Sequence, residues 1–252
     1  MSHGGVLATV AIPARMASTR LPRKMLLDLG GKPLLQHTWE RVSQMKNAAS
    51  VTIVTDDESI QAAAKGWGAR VLMSSPDCEN GTARIASVLG ELPGEFIVNV
   101  QGDEPFVDPK MLDALVDRWN KVPSDLVTPV YPITDLEDLT STGVVKVARA
   151  HNGQALYFSR SIIPHVRGVP VEHWLEKGRF WGHIGVYGFR REVLAAYPTL
   201  PPSPLQELES LEQLRFLEAG YVFQTCEAAE KSLAIDFLED LERARLHLSA
   251  SV

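Results

Sequence analysis

VLATVAIPARMASTRLPRKML, residues 6–26, decides the fold. Its first seven residues form a short apolar run with no regular polar alternation, as expected of a strand buried on both faces of a parallel sheet. At Pro13 the run breaks into a loop that carries Arg15, Arg20, Arg23 and Lys24, and no acid follows before Asp28. The whole chain has a formal charge of −6, so this cationic loop runs against the overall balance. A general nucleic-acid binder would spread its cations over a broad face. Cations gathered at the end of one buried strand point instead to a small anion.

Working outward, the same alternation of short apolar runs and helical patterns repeats. PLLQHTWERV (33–42) spaces Leu34, Leu35, Trp39 and Val42 as one helix face. SVTIVTDD (50–57) reads as a second strand and ESIQAAAKGWG as a helix stopped by glycine. ARVLMSS (69–75) is a third strand, TARIASVLGEL (82–92) a helix, and EFIVNVQGDEP (95–105) a fourth strand ending in acids. This β-α-β-α-β order predicts an α/β fold, a Rossmann-like, mostly parallel sheet flanked by helices. Ligands of such sheets bind beyond the carboxyl ends of the strands, where the basic loop, TDD and QGDEP all fall.

Beyond Pro109 the pattern turns strand-rich. SDLVTPVYPI (124–133) and GVVKVARAHNGQALYFSRS (143–161) read as strands, the latter with HNGQ as a hairpin turn. FWGHIGVYGFRREVL (180–194) reads as strand then helix. SPLQELESLEQLRFLEAG (203–220) is expected to be one helix with Leu205, Leu208, Leu211, Leu214 and Leu217 on a single face. The last helix (237–248) has Leu238, Leu241, Ala244 and Leu248 as its apolar stripe. A single α/β domain over 1–252 is the expectation, its second half forming a smaller strand-rich lid on the same sheet.

Other classes are disfavoured. Cys78 and Cys226 cannot make a disulfide framework and lack metal-ligand spacing. No apolar stretch approaches the ~20 residues of a membrane span, and no secretory signal is read at the N-terminus; a reduced, cytoplasmic protein is expected. Neither GxGxxG nor GxxxxGK[ST] occurs, so an anion would be held by loop N–H groups with Arg and Lys side chains. Asp103, in QGDEP, could equally close a turn. Asp236 could be a helix N-cap with Glu239 as its capping-box partner, and His183 alone in an apolar strand could be an ordinary core histidine.

IPARMASTRLPRK resembles the signature loop PAR-x-x-STRLPGK of the sugar nucleotidyltransferases of the cytidylyltransferase group. LGGKPLLQHTWERV, VTDDESI, NGTARI, VNVQGDEPFV, ALYFSRSIIP, GHIGVYGFRREVL and LESLEQLRFLEAG follow in that family's order and cover nearly the whole chain. Within the family the set looks most like the members that activate 3-deoxy-manno-octulosonate (Kdo) for lipopolysaccharide assembly. The resemblance implies the nucleotide-diphospho-sugar transferase type of fold, a CTP-binding half over 1–108, and a sugar-acid and dimerisation portion over about 120–225. It implies CTP and a Kdo-like acid as substrates, Mg²⁺ as cofactor and a homodimer, with the 125–165 region as candidate interface. Arg15 and Lys24 match residues that hold the triphosphate, and with Asp103 they would carry the catalysis. Asn80, Gly81 and Thr82 match the segment that meets cytosine, with Arg84 closing it. Gln101, Arg160, His183, Tyr187, Glu212 and Gln213 match sugar-acid positions, and Asp103 and Asp236 match metal-binding aspartates.

Four departures stand against this pattern. Arg23 takes the place of the loop's glycine and Met16 that of an aromatic. Ala83 replaces an acid, removing an expected partner of Arg84. VDTPEDL appears as IDFLEDL, with Phe237 and Leu238 in place of Thr and the helix-starting Pro, and the glycine-containing segment before it reads EKSLA. A related acid as acceptor, or a CTP-binding regulatory protein without catalysis, therefore stays open at this stage.

Overall fold

Ala8–Ala14 forms strand β1, with all seven residues buried. Its side chains alternate between faces: Val10 and Ile12 enter one apolar cluster and Ala11 another. A strand that buries both faces has no room for polar alternation, which is why residues 6–12 read as continuous. The protein is described from a computed structural model over residues 5–17 and 21–249; Arg20 lies outside them.

After β1 comes a small ribbon of β2 (Asp28–Leu29) and β3 (Lys32–Pro33). Then follow α1 (Leu34–Val42), β4 (Ala48–Thr55), α2 (Glu58–Gly66), β5 (Arg70–Met73), α3 (Gly81–Ser87), β6 (Phe96–Asn99) and α4 (Pro109–Lys121). Strands β4 and β6 pair parallel to β1 on its two sides, and β5 pairs parallel to β4. Local chemistry starts the helices: Asp57 accepts from the N–H groups of Ser59 and Ile60 at the head of α2, and Asp108 from Lys110 at the head of α4. One cluster packs Leu35, Ile60 and Leu112 from α1, α2 and α4 against β1. The other brings Ile85 of α3 to the opposite face.

The remaining chain extends the same sheet. It forms β7 (Leu126–Ile133), α5 (Leu136–Thr140), β8 (Lys146–Arg149), β9 (Ala155–Ser159), α6 (Trp174–Lys177), β10 (Phe180–His183) and β11 (Tyr187–Arg190). Then come α7 (Arg191–Ala196), α8 (Pro204–Glu209), α9 (Gln213–Glu218), β12 (Phe223–Glu227) and α10 (Leu238–Ser249). Ten strands make one sheet, antiparallel from β6 through β11 and β7 to the β8–β9 hairpin, with β12 parallel to β7. The stretch expected as one strand over 180–190 is β10 and β11, both antiparallel to β7. His183 pairs with Val130 and Gly188 with Val127, so five steps of one chain answer three of the other. The bulge between them, Ile184–Val186, re-aims the side chains around it.

Two expectations are corrected. The helix over 203–220 is two helices, α8 and α9, divided at Ser210, whose φ of 52° and ψ of 50° are left-handed. Leu208 is 83% exposed, whereas Leu211 and Leu214 are buried. A spacing of three residues falls short of a helical turn by about 60° each step, so five such leucines cannot share one face of a straight helix. The break at Ser210 resets the phase. At the C-terminus α10 begins at Leu238, which is 54% exposed, while Leu241 and Ala244 are buried. The capping box also shifts by one residue: the Asp240 carboxylate, not Glu239, accepts from the backbone N–H groups of Asp236 (3.0 Å) and Phe237 (2.9 Å). Phe237 occupies the position before the helix and offers no side-chain acceptor in return.

Candidate active site

The carboxyl ends of β1 and β6 open onto a cavity of about 500 Å³ whose lining includes Ala14, Arg15, Lys24, Asn80, Gly81 and Gln101. Arg15 is exposed at its mouth, whereas Lys24 is buried, on a short 3-10 turn. Two carboxylates meet the Lys24 ammonium, Asp103 Oδ2 at 2.5 Å and Asp236 Oδ1 at 3.1 Å. A buried ammonium without partners would be strongly disfavoured. The two acids are far apart in sequence and come together for a plain reason. The Ile235 N–H donates to the Asp103 carbonyl at 3.0 Å, and Ile235 is fully buried in a small apolar cluster with Leu21, Leu29, Leu34, Leu241 and Ala244. That cluster ties the basic loop, the β2–β3 ribbon and α10 into one clamp around Lys24.

Arg23 precedes Lys24 with φ 58° and ψ 26°, the left-handed conformation that glycine adopts without strain. Its side chain is exposed and does not line the cavity; against the opposing effect of burial, hydrogen bonds from Ser59 and Ile60 hold the Asp57 carboxyl below its ordinary range, with Arg23 adding the smallest part.

At the other end of the cavity Asn80 caps α3, its Oδ1 accepting from the Ala83 N–H at 2.8 Å and its Nδ2 donating to the Tyr197 hydroxyl at 2.6 Å. Gly81 sits against Pro13 and Gln101; a Cβ there would lie 2.9 Å from Pro13 Cγ and 3.2 Å from Gln101 Oε1. Thr82 is buried and accepts from Asn99. The buried Arg84 guanidinium donates to Ser74 Oγ at 2.5 Å and to Asp56 Oδ2 at 3.1 Å. Its partner is thus Asp56, from the end of β4, and position 83 need not supply one. Sequence reasoning missed three residues here. Tyr197 also donates to Glu79, Arg215 pairs with Glu79 at 3.2 Å, and the Arg215 guanidinium lies 4.9 Å over the Tyr197 ring. Glu79 directly precedes Asn80, whereas Tyr197 and Arg215 come from the turn after α7 and from α9, and nothing local in the sequence marks that those two reach Asn80.

A second chamber of about 420 Å³ adjoins the first; Gly185, Tyr187, Ser210, Glu212 and Asp236 border both. Its wall is built by the bulge of β10–β11 and the break between α8 and α9. His183 Nε2 lies 2.8 Å from Thr128 Oγ1, and burial pushes its pKa down to about 3, so the imidazole is neutral. The Tyr187 hydroxyl donates to Gln213 Oε1 at 3.0 Å. Gln213 is 2% exposed and its Nε2 has no hydrogen-bond partner, an orphan donor in the chamber wall. Burial, with the charge of Glu79, raises the Glu212 pKa to about 7. Glu104 is likewise raised to about 7 by burial and by the neighbouring charges of Asp103 and Asp236; it accepts a hydrogen bond from Ser232.

Arg160 stands apart from the other sequence-derived residues. Its guanidinium donates to the carbonyls of Glu209 (2.7 Å), Thr142 (3.0 Å) and Ser210 (3.3 Å), and it lines neither chamber. In this position it holds the left-handed turn at Ser210. Arg15, Lys24, Asn80, Gly81, Arg84, Gln101, Asp103 and Asp236 gather around the first chamber, and His183, Tyr187, Glu212 and Gln213 around the second.

The sequence profile of the cytidylyltransferase family matches residues 9–232. The chain is 43% identical over 246 residues to the 3-deoxy-manno-octulosonate cytidylyltransferase of Myxococcus xanthus, covering 96% of this chain and 97% of that one. It is 41% identical to the Geobacter sulfurreducens protein of the same name, covering 93% and 96%. Among solved structures, a CMP:2-keto-3-deoxy-manno-octonic acid synthetase complexed with CTP superposes with a TM-score of 0.91 at 36% identity, covering 98% of this chain and all of that one. On these matches the chain belongs to the cytidylyltransferase family, alongside the 3-deoxy-manno-octulosonate cytidylyltransferases.

Proposed function

We propose that the protein transfers CMP from CTP to 3-deoxy-manno-octulosonate, releasing pyrophosphate. The observation that carries this reading is the common wall of two polar chambers, with a buried lysine and two aspartates at their junction. A nucleotide in the first chamber would place its triphosphate by Arg15 and Lys24 and its base toward Asn80, Gly81, Thr82 and Arg84. A sugar acid in the second, against His183, Tyr187, Glu212 and Gln213 and reaching toward Gln101 of the first, would bring its anomeric hydroxyl to the α-phosphorus across that wall. Attack there expels pyrophosphate, and Arg15 and Lys24 neutralise the charge that gathers on it. The neutral His183 and the Tyr187–Gln213 pair orient hydroxyl groups without adding charge. Holding two anions in line is the main task of the protein.

Mg²⁺ belongs to this reading. Among the described residues no trio of His, Cys, Asp or Glu side chains forms a metal cluster. Asp103 and Asp236 nevertheless present carboxylate oxygens within 3.1 Å of one point, and their side chains keep 22% and 37% exposure. Two hard oxygen donors with access to water and phosphate suit a Mg²⁺ ion, which keeps much of its hydration and tolerates few protein ligands. Bound there, the ion would screen the repulsion between the two anions and acidify the attacking hydroxyl.

A homodimer and a cytoplasmic setting complete the proposal. The edge strand β9, within the 125–165 region, carries Leu156 at 56% exposure, and no described helix is long and apolar enough to cross a membrane. The test of function is pyrophosphate release from CTP and Mg²⁺ with a panel of sugar acids. Release with Kdo supports the reading. Release only with another acid reassigns the acceptor, and binding of CTP without any release overturns catalysis.

A further inference from the structure

An anionic acceptor entering the second chamber meets several acids, Glu104, Glu212 and Asp236, along its described lining, and His183 there is uncharged. Among the described lining residues one formal cation remains, Lys231. The arginine that the family resemblance matches to the acid, Arg160, is held by three backbone carbonyls outside the chamber. Lys231 lies in EKSLA, the stretch between β12 and α10 that departs from the family pattern. The chain on either side of it is anchored: the Ala228 N–H donates to the Val130 carbonyl at 2.8 Å and the Ile235 N–H to the Asp103 carbonyl at 3.0 Å. The lysine is therefore placed by the fold and does not hang from a free loop.

Its ammonium lies 2.7 and 2.9 Å from the two oxygens of Asp138, which is buried on α5 and also accepts from the Tyr131 hydroxyl. Tyr131 lines the same chamber. An ammonium has three N–H donors, so the two contacts to Asp138 leave a third to offer a ligand. The orphan Nε2 of Gln213 supplies another donor in the same wall. A charged donor in the chamber lining with an N–H to spare suits a carboxylate.

We propose that Lys231, tethered by Asp138, receives the carboxylate of the acceptor and is a specificity-determining residue of this chain. The assignment rests on the second chamber being the acid site. The experiment compares wild type with Lys231→Met, Lys231→Arg and Arg160→Met, measuring KM and kcat for Kdo and CTP. Binding of Kdo and of its methyl ester, which has lost the carboxylate charge, is measured by competition in the same set. Lys231→Met is expected to raise KM for Kdo at least tenfold with the loss falling on KM rather than kcat, and Lys231→Arg to recover most of it. The preference of the wild type for the acid over its ester should shrink at least tenfold in Lys231→Met, and CTP affinity, unchanged, reports that the fold is intact. An unchanged KM and unchanged acid-to-ester preference in Lys231→Met overturns the assignment; so does transfer of that entire loss to Arg160→Met. If the wild type itself neither binds nor turns over Kdo, the functional reading fails, and the role of Lys231 fails with it.

Discussion

Arg23 shows what a single residue costs when it keeps a glycine's backbone. The loop of the family has glycine there; this chain keeps the left-handed turn, φ 58°, with a side chain pointing to solvent. A non-glycine residue in that region is disfavoured by roughly 1–2 kcal/mol, partly offset by glycine's larger loss of freedom on folding. Arg23→Gly should therefore stabilise the protein by about 0.5–1 kcal/mol and raise Tm by about 1–4 °C, measured by thermal denaturation, with pyrophosphate release intact. Glu212 makes a different prediction. Its folded pKa of about 7 lies above its ordinary value of 4.5, so between those values the folded state holds a proton that the unfolded chain has released. Stability then falls as pH rises through that window and levels off above it. Glu212→Gln should raise Tm at pH 8 by an amount on the order of 2 kcal/mol, about 4–8 °C, and by much less at pH 5. Equal shifts at both pH values would show that the carboxyl is not what titrates.

At the scale of elements, the head of α10 separates two jobs that the sequence alone gave to one residue. Asp236 can be read as a cap or as a ligand, and a one-residue shift in where the helix begins moves the capping role to its neighbours. Asp240 turns back to the N–H groups of Asp236 and Phe237, which leaves the Asp236 carboxylate facing Lys24. Asp240→Ala should lower stability by about 1 kcal/mol through the lost cap. Asp236→Asn should leave Tm within about 2 °C yet reduce kcat at least a hundredfold, read by pyrophosphate release. A large loss of Tm with near-normal kcat in Asp236→Asn would reverse these roles. The division of 203–220 at Ser210 was hidden for a related reason. Leucines at every third position look like a stripe until the angular drift is counted, and no glycine or proline marks the left-handed break. Arg160, fixed to the carbonyl of Ser210 from 50 residues away in sequence, is part of what holds it.

Across the whole molecule, the parallel half was legible because each strand is a short apolar run with its own turn signals, and the polar ends of β1, β4 and β6 must share one edge of the sheet. The basic loop, TDD and QGDEP could be placed in one crevice from topology alone, whereas NGT was marked only by the family resemblance. What sequence could not supply was the meeting of distant chain segments. Asp103 joins Asp236 through a backbone hydrogen bond of Ile235, Arg84 finds Asp56, and Glu79, Tyr197 and Arg215 assemble behind Asn80. The same limit applies to Lys231 and Asp138, which are adjacent only because α5 and the return to α10 pack against β7.

The Lys24 ammonium lies between the two aspartates at the spot where a divalent ion would bind them. It is thus a resident stand-in, and a metal arriving alone must evict it from a buried position where, among the described residues, those two aspartates are its salt-bridge partners. CTP changes that balance, because its triphosphate gives the ammonium somewhere to go. Nucleotide and metal should then bind with positive cooperativity, the nucleotide opening the seat for the ion. Mn²⁺ titration followed by electron paramagnetic resonance, without turnover, reads this directly. The wild type should bind Mn²⁺ at least tenfold more tightly with CTP present than without. Lys24→Met should bind Mn²⁺ more tightly than wild type in the absence of nucleotide while holding CTP more weakly. If Lys24→Met leaves the nucleotide-free Mn²⁺ affinity unchanged, the lysine is a neighbour of the site and not its occupant.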